Sequence, residues 1–87
     1  MTAPLDAVRS AVALVCGVDP AELDAATDLA ALGADSLALV SIADVVEADL
    51  ATAGVALHID DASLGRMRRL GDIVEYVVAH GGVLSEA

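Results

Sequence analysis

Aromatic residues are nearly missing. Tyr76 is the only one in 87 residues, and Trp and Phe do not occur. A core must therefore come from Ala, Val, Leu and Ile, and with hydrophobic residues at 57% there are enough of them. Cysteine is as scarce. A lone Cys16 rules out an internal disulfide, and no Cys/His spacing matches a zinc site. A domain this small has neither of the usual covalent or metal supports and must rely on packing alone.

Lysine is absent altogether. Four Arg stand against fourteen Asp and Glu, for a formal charge of −10 at pH 7. No Lys or Arg lies between Arg9 and Arg66, a stretch that carries Asp19, Glu22, Asp24, Asp28, Asp35, Asp44, Glu47, Asp49, Asp60 and Asp61. Such a surface repels phosphate backbones and argues against nucleic acid as a partner. It suits either of two roles: attraction of basic partner proteins, or simple solubility for an aliphatic-rich domain. The N-terminus has no basic stretch followed by an apolar one. No uncharged apolar run reaches the ~18 residues of a membrane span. These features set the expectation of a soluble cytoplasmic monomer, a single domain over 1–87.

What is present has mostly helical spacing. Leu5, Val8, Val12 and Val15 recur at turn intervals after Pro4, and Gly17 closes that helix. A long connection follows, with Val18, Leu23, Leu29 and Leu32 as its anchors; ordered loops of this length are uncommon and often functional. A second helix is expected from 36 to about 50–52, ended by Gly54. A linker follows, with one short turn expected around 63–67. A last helix is expected over 71–79, built on Ile73, Val74, Val77 and Val78 and stopped by "HGG". Strand alternation is not evident. The fold class is all-α: a small antiparallel four-helix bundle of three main helices and one short one.

On the second helix, Leu39, Ile42, Ala43, Val46 and Leu50 share the arc expected to face the core. Leu37, Val40, Asp44 and Glu47 share another, with Ser36 at its start. That outer strip is apolar near the serine and acidic beyond it, as a docking surface would be. Serine at a helix start has an ordinary role as the N-cap. The same place also suits a phosphate ester, since a helix N-terminus offers free N–H groups and the positive end of the dipole. Ser36 is no hydrolase nucleophile. The G-x-S-x-G elbow is absent, and His58 and His80 belong to no recognisable triad.

The stretch "LGADSL", 32–37, resembles the phosphopantetheine attachment motif of acyl carrier proteins. The preceding "GVDPAELDAATDLAALGAD" is similar to the loop leading to that serine, and "GDIVEYVV" to the family's last helix. The likeness covers about 5–78. It implies that Ser36 carries 4′-phosphopantetheine taken from coenzyme A. Asp35 would help a phosphopantetheinyl transferase recognise the serine, with Leu37 completing the motif. Val40, Asp44 and Glu47 would contact partner enzymes of the acyl-loading, ketosynthase or acyltransferase type. The chain would be a carrier serving enzymes rather than an enzyme, with no metal.

The chain departs from the family at Ala38 and Ser41, where acids are common, at Asp44, often apolar, and at Arg69, commonly a capping Thr. These departures favour a dedicated pathway over generic fatty-acid synthesis. The "TDLAALG" spacing is closer to polyketide carriers, so a discrete, polyketide-like type is expected. The alternatives are a fatty-acid carrier, an aminoacyl or peptidyl carrier, and, in a different class, a helical interaction domain that is never modified. Arg66, Arg68 and Arg69 balance charge or meet an acidic partner. Cys16 reads as a small core residue.

Overall fold

The first helix, α1, spans Pro4–Cys16 and buries Ala7, Val8, Ala11, Val12 and Ala13. It ends at Gly17, whose φ of 71° lets the chain turn left-handed. There the N–H groups of Gly17 and Val18 both donate to the Ala13 carbonyl. The structure is a computed structural model and describes residues 4–80 together with 82 and 83.

The connection to the next helix is built from two single 3₁₀ turns, Pro20–Glu22 and Ala30–Leu32. Leu23 and Leu29 are buried as pegs, while Val18 and Leu32 pack half-buried beside them. The loop is also fastened sideways. Leu29 N–H donates to the Arg68 carbonyl, Leu70 N–H to Thr27, and Gly71 N–H to Ala25, each at 2.9 Å. A Cβ at Gly71 would stand 2.8 Å from the Ala25 carbonyl oxygen, so a side chain there forces the strap apart.

Helix α2, Ser36–Thr52, places Ile42, Ala43, Val46 and Leu50 in the core. Leu39, expected there too, sits half-buried at its edge. The chain leaves α2 through Gly54 at φ 85°. Strand β1, Val55–Ala56, then pairs antiparallel with β2, Gly82–Val83. Two residues are too few to show alternation, so this ladder is invisible to a sequence reading. The short helix α3 is Asp61–Leu64, a little before the expected 63–67, because Asp60 caps it by accepting the Ser63 N–H at 2.7 Å. Helix α4, Leu70–His80, is one residue longer at each end than expected. The Gly81 part of its stop signal lies outside the described residues.

The bundle closes because α1 packs on both α2 and α4. Val8, Val12, Ile42, Val46, Leu70 and Ile73 are the largest fully buried side chains among the described residues. Ile59, Leu64 and Met67 extend the core beneath α3. All are aliphatic except Met67, as the lack of aromatics requires.

Candidate functional site

The loop becomes α2 in four residues. Gly33 ends the second 3₁₀ turn at φ 81°, a left-handed conformation costly for a side chain. Asp35 follows in extended backbone, φ −92° and ψ −171°, and its Oδ1 accepts the Ala38 N–H at 2.9 Å. Asp35 is therefore the N-cap, and the capping role open to Ser36 is corrected. Ser36 is the first helical residue, one place past the cap. It is exposed, and its hydroxyl forms no hydrogen bond among the described residues. The fold does not use this oxygen, and the positive end of the α2 dipole lies beneath it.

The acids of the approaching loop do similar work. Asp19, Asp24 and Asp28 each accept a backbone N–H two residues on, from Ala21, Ala26 and Ala30, at 2.9 Å. These are Asx turns. Four aspartates that look like surface charge in the sequence thus hold the loop that presents the serine. Their spacing before Ala was the available signal.

Two clefts flank Ser36. One, about 290 Å³, runs between the start of α2 and α3, where Leu39, Val40 and Leu64 give it a mostly apolar wall. The other, about 330 Å³, lies between the loop and the chain after α3, with Asp28, Ala34, Met67 and Arg68 among its walls. Neither His58 nor His80 lines either cleft. The His58 ring faces Glu47 at 3.7 Å, and the His80 ring stacks on Tyr76. Among the described residues, no histidine stands beside Ser36.

Beyond the serine, the outer face of α2 divides. Leu37 is 78% exposed and Val40 41%. Asp44 is exposed as well. Glu47 is not a free rim charge. Its Oε2 accepts the Ile59 N–H at 2.7 Å and ties α2 to the linker before α3. Tyr76 holds the same linker, its hydroxyl donating to the His58 carbonyl at 3.1 Å.

Arg66, Arg68 and Arg69 are exposed. Arg69 cannot cap α4 as a Thr would. Asp72 compensates, its Oδ2 accepting the N–H groups of Arg68 and Arg69 at 2.8 and 3.0 Å. Those bonds hold the Asp72 carboxyl below its ordinary range. The bond from Ser63 does the same for Asp60. Burial pushes the Cys16 thiol up, away from reactivity.

An ester-linked arm at Ser36 needs an exposed oxygen free of structural duty and room alongside, and both are present. Residues 6–77 match the family model described as a phosphopantetheine attachment site. Neither the curated proteins nor the solved structures yield a match.

Proposed function

The chain belongs to the phosphopantetheine attachment site family, and from that premise we propose that it is an acyl carrier whose single modified residue is Ser36. The observation that carries the assignment is the division of labour at the start of α2. Asp35 caps the helix and leaves the Ser36 hydroxyl exposed and unbonded. When bound, the arm supplies a terminal thiol that holds an acyl group as a thioester. The chain's own residues do the rest. With the help of a transferase, the Ser36 oxygen loses its proton and takes the phosphopantetheinyl group from coenzyme A, whose pyrophosphate bond breaks to release adenosine bisphosphate. Asp35 fixes the start of the helix that presents that oxygen and forms part of what the transferase reads. Leu37, Val40 and Asp44 offer the exposed strip on which acyl-loading, ketosynthase or acyltransferase enzymes dock.

A dedicated polyketide or related specialised pathway suits this strip best. Ala38 and Ser41 replace acids there, so the docking face has less charge than a generic fatty-acid carrier would show. The protein acts as a carrier rather than a catalyst and works in the cytoplasm. No helix among the described residues is long and apolar enough to cross a membrane.

Intact mass spectrometry tests the assignment. Coenzyme A and a broad-specificity phosphopantetheinyl transferase should add one arm to the wild type and none to Ser36→Ala. An unmodified wild type, beside a control carrier modified by the same enzyme, refutes it.

A further inference from the structure

We infer that Arg68 seats the phosphate of the arm on Ser36, in the cleft between the 28–35 loop and the chain after α3; this rests on the carrier assignment above. Ser36 and Arg68 line that cleft together, and among the described residues Arg68 is the only cation lining either cleft beside the serine. Arg69 lines an adjoining cleft that does not reach Ser36.

The need for a cation follows from the charge around the site. Asp28 and Asp35 line this cleft, and Asp61 lines the one on the other side of Ser36. A phosphodiester on Ser36 adds another negative charge to them. The cap bonds of Asp28 and Asp35 offset only part of this, each engaging one oxygen with a backbone N–H. Arg68 is available to answer the phosphate, since its guanidinium forms no ion pair among the described residues. A guanidinium presents paired donors that match phosphate oxygens.

The backbone of Arg68 is also held in place. Its N–H donates to Asp72 Oδ2 at 2.8 Å, and its carbonyl accepts the Leu29 N–H at 2.9 Å. Leu29 belongs to the loop that presents Ser36, so serine and arginine rise from one hydrogen-bonded frame. Charge balance alone would not require that frame. An exposed ion pair is weak between separate molecules. Covalent attachment makes the contact intramolecular, at an effective concentration in the millimolar range, and keeps it occupied.

The test uses the ¹⁵N-labelled chain, modified to completion by mass. On modification, the Arg68 side-chain Nε–H resonance should move more than those of Arg66 and Arg69. The movement should shrink in about 1 M NaCl, where the Debye length is about 3 Å. The arm's ³¹P resonance should shift in Arg68→Gln, shift less in Arg68→Lys and stay unchanged in Arg69→Gln. Circular dichroism confirms that each variant is folded, as expected for exposed side chains. Complete modification with a still Arg68 resonance, or with Arg69 moving more, overturns the inference and leaves the carrier assignment standing. Failure of the wild type to accept an arm refutes the carrier assignment itself, and this inference with it.

Discussion

Glu47→Ala separates a structural carboxylate from a docking one. The Glu47 side chain is 25% exposed, and its Oε2 lies 2.7 Å from the Ile59 nitrogen. Truncation leaves that N–H without its acceptor, at a cost of about 1–3 kcal/mol for a buried donor. Partial access of water reduces this to about 1–2 kcal/mol, or roughly 5–15 °C in Tm for a domain of this size. The substitution also removes one negative charge from a chain at −10, which acts in the opposite direction. Asp44→Ala provides the correction. It removes the same charge from the same helix, at an exposed position. Glu47→Gln keeps an oxygen acceptor and should lose less than half as much as Glu47→Ala. Thermal melts by circular dichroism at neutral pH and fixed salt give the comparison. If Glu47→Ala and Asp44→Ala melt together, the bond to Ile59 contributes nothing and Glu47 returns to the docking strip.

Gly71→Ala should destabilise the chain by about 1–2 kcal/mol, because the clash with Ala25 and the weakened strap outweigh the ~1 kcal/mol helix-propensity gain of Ala; a melt at or above the wild-type Tm counts against the strap. Ile42→Ala should cost about 2–4 kcal/mol from a fully buried site, while Val40→Asp should leave the Tm nearly unchanged and slow partner reactions; a stable Ile42→Ala would reverse the assignment of faces. Added salt at pH 7 should raise the Tm, because it screens the mutual repulsion of the acids. The depressed pKa values of Asp60 and Asp72 favour the folded state fully above the ordinary Asp value of about 3.9. That contribution should be lost as pH falls through their folded values. Denaturant titrations across pH check this, and monotonic stabilisation down to pH 2 would contradict it.

The helices and the core were legible because apolar spacing records them directly. Ile42, Val46, Ile73 and Val77 all fall where the period puts them. Ser36 was legible through its motif. Its neighbour's role was not: Asp and Ser are both good caps, and only the backbone angles at Asp35 decide between them. Glu47 misled because a helical wheel records direction but not reach. It lies one turn beyond the buried Ala43, and its long side chain bends back to a linker that the wheel does not contain. The strap between 25–29 and 68–71 was hidden for a similar reason. It is made by backbone groups, which leave no trace in side-chain pattern except the Gly at 71.

The single tyrosine has a spectroscopic consequence. Tyr76 sits on α4, bonds the linker through the His58 carbonyl and stacks on His80. With no Trp to mask it, near-ultraviolet absorption and intrinsic emission come from that one ring. They report whether the linker is docked, whereas far-ultraviolet dichroism reports the helices. The chain thus contains its own label at the junction of α2, α4 and the linker. A melt followed at both wavelengths distinguishes release of the linker from collapse of the bundle, with no dye attached and no residue changed.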